Sequence, residues 1–246
     1  MSEGVKIIRI SETDSTNRWL ADYKGEEGSL MTIAIADYQT AGKGQGSNSW
    51  ESERGANLTF SVKTKNHDVP ADRQFILLEA AALGILEALR TIVKSGLTIK
   101  WPNDIYWEDK KISGTLSQCS IHNGKVSDCI MGIGINVNQT EFRNGAPNPV
   151  SLCQILGEKV DRDHLLEIIF PQIAFYLSIV DNGEYDRIDR LYYNSLYRKE
   201  GFFSYRDSYG SFKAEISDVK PNGHIMLHRS DGVTREYAFK EMEYII

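Results

Sequence analysis

Three stretches of the chain carry side chains that could do chemistry. In Gly42-Lys43-Gly44-Gln45-Gly46-Ser47-Asn48-Ser49-Trp50, glycines at alternate positions leave peptide N–H groups unshielded by Cβ, so the loop can wrap an anion. Lys43 adds a compact positive charge and Trp50 a flat face; the competing reading is a flexible surface loop. It is not a Walker loop, because no Gly-Lys-Ser/Thr follows at the required distance. Nor does it open a strongly periodic helix, as a Rossmann nucleotide fold would require. The second stretch, Lys100-Trp101-Pro102-Asn103-Asp104, ends a strand at a proline that cannot continue a ladder, and presents an amide and a carboxylate at its exit. Seven residues past Asp104 comes Lys111, on the return arm of a hairpin. Two readings stay open for Asp104 and Lys111: a structural ion pair, or a lysine that holds an anion while the carboxylate manages a proton or a metal ion. The third stretch is Ile130-Met131-Gly132-Ile133-Gly134-Ile135-Asn136-Val137-Asn138. Alternation along a strand puts Met131, Ile133, Ile135 and Val137 on one face, with Gly132, Gly134, Asn136 and Asn138 on the other. Strand glycines mark close approach, here of a ligand to the strand floor or of tightly packed protein.

The elements that must position these residues can be read from pattern. Val5 to Ile10 is strand-like. Asp14 or Ser15 is expected to cap a short helix through Trp19 and Leu20. Leu30 to Ala36 is an apolar run of strand length, Tyr38 to Gly55 a long loop, and Ala56 to Lys63 a further strand. Phe75, Leu78, Ala82, Leu86, Leu89 and Val93 form one apolar helical stripe from about Asp72 to Lys94. A strand over 98–101 and a hairpin of 105–107 with 111–116 follow, then a strand over 126–137. Helices are expected over 152–156, 163–180 and 185–198. After Gly201, turn signals at Ser208-Tyr209-Gly210, Pro221-Asn222-Gly223 and Ser230-Asp231-Gly232 punctuate short strands, the texture of a small barrel. The boundary is placed so that residues 1–198 form an α/β unit with a mixed sheet and residues 199–246 the barrel.

Composition narrows the classes. With 28 Lys and Arg against 34 Asp and Glu the formal charge is −6, which argues against a protein drawn to nucleic acid by bulk phosphate attraction. No apolar stretch approaches a bilayer span and Met1 to Gly4 opens no secretion signal, so no membrane role is expected. The three cysteines, Cys119, Cys129 and Cys153, form no CxxC pair, which fits a reducing cytoplasm rather than a disulfide or zinc framework. His224 and His228 stand roughly 13 Å apart along one strand face with no third ligand, and read as surface histidines. No Gly-x-Ser-x-Gly elbow is present.

Asp14-Ser15-Thr16-Asn17, Gln39-Thr40-Ala41-Gly42-Lys43-Gly44, Trp50, Gly55-Ala56-Asn57-Leu58, Lys100 to Asp104, Lys111-Ile112-Ser113-Gly114 and Gly134-Ile135-Asn136 occur together in an order that resembles the biotin–protein ligases. The resemblance covers most of residues 5–140. It implies the catalytic fold shared by biotin and lipoate ligases and class II aminoacyl-tRNA synthetases, an α/β mixed sheet with packed helices, followed by an SH3-like barrel. It implies an enzyme that condenses biotin with ATP and Mg2+ to biotinyl-5′-AMP and then modifies a lysine in the biotin carrier domain of a carboxylase. By the same resemblance Ser15, Thr16, Asn17, Gln39 and Gly114 fall at biotin-binding positions, with Lys43, Gly44 and Gln45 closing over the ligand. Gly42, Trp50, Asn103 and Asn136 fall at adenylate-binding positions, together with Lys43 and Gln45. Lys111 would hold the biotin carboxylate and then the acyl phosphate, and Asp104 would position or deprotonate the incoming amine. Lys43 joins them as a catalytic position, and no fixed protein metal site is implied. The same-class rival is a lipoate or octanoate ligase; the rival of another class is a non-catalytic biotin-binding module, against which an intact Lys111 and Asp104 argue. Monomer and homodimer are both open.

Two departures from the family pattern carry expectations. No helix-turn-helix fits before Val5, so an enzyme without a repressor function is expected. The family loop usually reads Gly-Arg-Gly-Arg, where this chain has Lys43 and Gln45. Lysine lacks the bidentate fork of arginine and glutamine is neutral, so the adenylate should be retained less tightly than in a relative with both arginines. Gln45→Arg is therefore expected to slow biotinyl-AMP release in a chase experiment; release at an equal or faster rate would contradict the charge argument.

Overall fold

A computed structural model of the chain describes residues 5–24, 31–46, 48–65, 67–143 and 148–246. Met1 to Gly4, Leu30 at the expected start of the second strand, and Ser47 of the glycine loop lie outside the described residues. The chain begins β1 (Val5–Ile10), α1 (Thr16–Asp22), β2 (Met31–Ala36), β3 (Leu58–Lys65) and α2 (Phe75–Arg90). There follow β4 (Leu97–Lys100), β5 (Asp104–Trp107), β6 (Lys110–His122) and β7 (Lys125–Ile135), then α3 (Leu152–Leu156), α4 (Arg162–Asp181) and α5 (Tyr185–Asn194). These first strands form one seven-stranded sheet in the order β1-β2-β3-β7-β6-β5-β4. β1 and β2 are parallel and every other neighbour is antiparallel, so the sheet is mixed.

The two faces of this sheet have different work because side chains alternate along each strand. Phe60, Val62, Met131, Ile133 and Ile135 are buried in the main core with α2 and α4. Leu20 of α1 packs on Ala34 and Ile130, from the opposite face. The functional stretches therefore lie on the thinner side, over a sheet stiffened from behind.

Several expectations needed correction. The periodic stripe underestimates α2: Ile76 to Gly84 is buried without interruption, so the helix is enclosed on nearly every side. Its leucines and alanines fit wherever they point, which is why a single stripe could not define it. α2 ends at Arg90 and α5 at Asn194, both short of the expected limits. β6 runs on to His122 and turns at Asn123-Gly124 into β7, so the pair is one long hairpin. Helix α1 gains no side-chain cap bond from Ser15, its N-cap residue. Asp14 Oδ1 accepts the Ser15 N–H at 2.6 Å, and the Thr16 N–H donates to Gln39 Oε1 at 2.8 Å. A distant loop caps the helix. At 20 residues with a mean hydropathy of 1.3 in its best window, α4 does have bilayer-spanning length and composition, contrary to expectation. Its apolar side, including Leu166, Ile169, Ile173 and Leu177, is buried in the main core.

β8 (Phe203–Asp207), β9 (Gly210–Val219), β10 (Ile225–Arg229), β11 (Thr234–Tyr237) and β12 (Met242–Tyr244) form the second sheet, antiparallel throughout in the order β11-β10-β9-β8-β12. This is the small barrel anticipated from the turn signals. His224 and His228 are half-buried partners of Glu236 and Thr234. α2 carries a buried carboxyl, Glu79, whose Oε2 has no partner among the described residues. Burial, then the negative charge of Asp189, hold it well above the usual carboxylate range, with Arg73 opposing in part. An acid whose folded pKa is raised keeps its proton where the unfolded chain has lost it, so stability falls as pH rises above the unfolded value near ~4.3. Glu79→Gln is expected to gain on the order of 1 kcal/mol over wild type in denaturant unfolding at pH 8, and little at pH 4. An equal gain at both pH values would show that this carboxyl titrates normally.

Candidate active site

The polar face of the long sheet opens into a cavity of about 940 Å³, within the range of small-molecule sites. Its neutral end is built by α1. Thr16 Oγ1 donates to Gln39 Oε1 at 3.1 Å, and Ser61 Oγ of β3 lies 2.6 Å from Thr16 Oγ1 and 2.5 Å from Asn17 Oδ1. Asn17 Nδ2 reaches the Leu116 carbonyl of β6 at 3.4 Å. These neutral amides and hydroxyls, with Ser15 beside them, line the cavity or close its wall. Such a set can hydrogen-bond an uncharged polar head group without introducing net charge.

The glycines of β7 are explained by close approach. A Cβ on Gly132 would overlap the side chain of Asn17, and one on Gly134 would overlap the indole of Trp50. The floor thus receives the protein's own side chains, the tight-packing reading of this strand, and those side chains in turn line the cavity. Asn136 follows the strand, buried, with Nδ2 3.4 Å from the Lys111 and Val150 carbonyls. Asn138 does not belong to the floor. The strand has ended, and its amide instead exchanges hydrogen bonds with the backbone of Val160 at 2.9 Å.

At the charged end, Lys111 Nζ lies 2.7 Å from Asp104 Oδ1. The hairpin brings them together: Asp104 on β5 stands opposite Gly114 on β6. A Cβ on Gly114 would lie 3.1 Å from both charged atoms, so a side chain there would crowd the pair and the glycine leaves it room. The backbone of Lys111 is fixed on its other side by Asn148 and Val150 at 2.8 and 2.9 Å. Its ammonium also stands 5.8 Å from the Trp50 ring centre. Asn103 ties the corner down, donating to the Thr115 carbonyl and approaching Gln45 Oε1 at 3.4 Å. Tyr192 O–H and Trp101 Nε1–H hold the same corner through the carbonyls of Pro102 and Gly223, at 2.8 and 2.9 Å.

The glycine loop folds back on itself. Gly44 N–H donates to the Asn48 carbonyl at 2.8 Å and Trp50 N–H to the Gly42 carbonyl at 3.0 Å, with Lys43 bridging Ser49. The Gly44 amide is therefore already engaged, contrary to the expectation that it faces a ligand. Lys43, Gly44, Gln45 and Trp50 all line the cavity, while Gly42 stands outside its lining and supports the turn. Apart from Gly42, every expected site residue converges on this one space. Among the described residues no group of three or more His, Cys, Asp or Glu could hold a metal ion.

Lys100 and Phe239 are among the lining residues that sequence pattern did not single out. Lys100 lines the cavity between the rings of Tyr106 and Tyr244, 5.1 and 4.8 Å from their centres. Burial, with the charges of Lys111 and Arg198, pulls its ammonium below the usual lysine range, against the attraction of Asp104. Its place in a strand next to Trp-Pro gave the only signal. Phe239, from the barrel, reaches the same space with no local sequence cue. The seat of Trp50 is testable without a ligand: Gly134→Ala should expel the indole, giving a red-shifted tryptophan emission and stronger acrylamide quenching than wild type. Unchanged emission and quenching would mean that the ring does not depend on the bare strand.

A model of the biotin/lipoate A/B protein ligase family matches residues 10–136, just over half of the chain. The bifunctional ligase/repressor BirA of Bacillus subtilis is 29% identical over 237 residues, 93% of this chain and 70% of that protein. A biotin–[acetyl-CoA-carboxylase] ligase of Mycobacterium tuberculosis is 28% identical over 176 residues, 67% of this chain and 61% of that one. The structure of biotin protein ligase from Aquifex aeolicus in complex with biotin and ATP superposes with a TM-score of 0.78 at 25% identity, covering 97% of both chains. The matched segment contains α1, the glycine loop, the Asp104–Lys111 hairpin and the strand floor, and on that ground the chain belongs to the biotin/lipoate A/B protein ligase family.

Proposed function

We propose that this chain is a biotin–protein ligase. Biotin's carboxylate attacks the α-phosphate of ATP, giving biotinyl-5′-AMP and pyrophosphate; the ε-amine of a carrier-domain lysine then attacks the acyl carbon and releases AMP. The observation that carries the reading is one cavity with a neutral hydrogen-bonding end at Thr16, Asn17 and Gln39 and an ammonium–carboxylate pair at the other. Biotin has that polarity, with an uncharged ureido head and a carboxylate tail. The relatives named as biotin ligases, and the solved complex with biotin and ATP, support the same choice.

The difficulty of the first step is electrostatic. Two unit negative charges 4 Å apart repel by about 4 kcal/mol at an effective dielectric of 20. Lys111 offsets this by exchanging Asp104 for the biotin carboxylate and then following the charge onto the acyl phosphate. Trp50 offers a stacking face for the adenine and Asn136 a polar contact for the adenylate, while Lys43 meets the phosphates. Gly114 keeps the approach to Lys111 free of a side chain. Once Lys111 has turned to the acyl phosphate, Asp104 is free to accept a hydrogen bond from, and orient, the incoming amine. Mg2+ bound with ATP would reduce the charge of its phosphates. With no acidic cluster among the described residues, the phosphates and water would supply most of its ligands.

The acceptor is the biotin carrier domain of a biotin-dependent carboxylase. Residues 1–198 act as the catalytic unit and 199–246 as the barrel, a division supported by the start of a separate sheet at Phe203. Free cysteines at positions 119, 129 and 153 fit work in a reducing cytoplasm. Incubation with ATP and biotin, followed by mass spectrometry, should reveal the mixed anhydride, with pyrophosphate released by biotin and not by lipoate. Release with lipoate alone would move the assignment to the lipoate branch. Lys111→Ala is expected to cut adenylation by two to three orders of magnitude, the usual effect of losing one preorganised charge donor. Near-normal turnover in a folded variant would remove this lysine from the mechanism.

A further inference from the structure

We propose that Lys240, in the barrel, is a nucleotide-binding residue that holds the outer phosphates of ATP from beside the glycine loop, at the edge of the cavity. Its geometry is directed toward the glycine loop. The residue adopts φ +70°, a left-handed conformation that lysine rarely takes. A tight turn keeps it there: Glu241 N–H donates to the Ala238 carbonyl at 3.1 Å, and Ala238 N–H donates to Glu241 Oε2 at 2.7 Å. The preceding ring, Phe239, lies 6.1 Å from Trp101 and lines the active-site cavity. Trp101 is itself bonded to Gly223 of the barrel, so the turn is seated on the corner that carries Asn103 and Asp104. From that seat the Lys240 side chain crosses to Gly46, where a Cβ would overlap its ammonium. Gly46 has φ +68° and no side chain, which opens the loop to this approach.

The charge pattern gives the ligand chemistry. Among the described residues, neither Lys43 nor Lys240 has an acidic partner, while Lys111 is already paired with Asp104. Two unpaired ammonium groups beside folded-back glycine backbone form a site for a polyanion. Gln45 contributes no charge to this loop. The cation that it lacks arrives from a segment nearly two hundred residues away in sequence. A triphosphate bound with its α-phosphate near Lys111 would extend its β- and γ-phosphates toward this loop, and AMP would not reach it.

The inference rests on the cavity being a nucleotide site, and the test separates it from the ligase assignment. Lys240→Gly removes the ammonium while suiting the left-handed backbone, so the variant should melt no lower than wild type. Titration calorimetry with MgATP and with AMP is compared for wild type, Lys240→Gly and Lys240→Arg. The expected result is a five- to tenfold weaker ATP affinity in the glycine variant, AMP affinity unchanged, and near-recovery in the arginine variant, for one partly screened charged contact. ATP affinity within twofold of wild type, or an equal loss for ATP and AMP, would overturn the phosphate role. A wild-type chain that binds ATP yet makes no adenylate would refute the ligase reading while leaving the lysine to be judged by these affinities. A wild-type chain that binds no ATP would refute both.

Discussion

The reaction requires two anions to meet, and the protein can allow that only where a positive charge is already waiting and can change partners. Lys111 meets this condition. Its ammonium is held 2.7 Å from Asp104 in a partly buried corner, so it need not be recruited from solvent, and in the proposed reaction it would leave one carboxylate only to receive another. A lysine fully neutralised in a dry core would be too costly to free. A fully exposed one would be screened and conformationally loose. The 24% and 17% exposure of the two side chains places the pair between those limits. Much of the nearby architecture serves that balance: the hairpin sets the facing positions, Gly114 leaves room, and the 148–150 segment fixes the lysine backbone.

The neutral end of the cavity obeys a different rule. Thr16, Asn17, Gln39 and Ser61 satisfy one another before any ligand arrives, so little unpaired polarity is buried in their shared network. Such groups discriminate through the penalty of leaving a donor or acceptor unmet when the wrong head group enters. Gln39 has two functions there. Its Oε1 takes the Thr16 amide that a helix cap would ordinarily take, which couples the position of α1 to the loop that closes the cavity.

Sequence pattern revealed what depends on local chemistry and missed what depends on distant partners. The strand floor is an instance of both. Gly132 and Gly134 announce close approach, yet nothing local says that Asn17 and Trp50 are what approach. The Asp104–Lys111 spacing was readable because both arms belong to one short hairpin. A single stripe understates helix α2 because its small and branched apolar residues suit any buried environment, and only the surrounding sheet and helices decide which faces are covered. Asn138 fell on the predicted face by alternation, but alternation has no meaning once the strand ends at Ile135. Lys100 carried a weak signal and Phe239 none, since their roles arise from the packing of the barrel against the Trp101 corner.

That packing makes the barrel more than an appendage. The composition changes near residue 199, but the hydrophobic core crosses that point: Tyr205, Phe212 and Tyr237 belong to the same buried cluster as α2 and the long sheet. Tyr244 faces Lys100, Arg198 donates to the Ile245 carbonyl at 2.9 Å, and Trp101 donates to Gly223. Any rotation of the barrel would therefore disturb the corner that holds Asn103 and Asp104, and with it the counter-ion of Lys111. Mechanical coupling of this kind lets a segment remote in sequence act on the site without supplying its central residues: it fixes the carboxylate from which, in the proposed reaction, the Lys111 ammonium would depart.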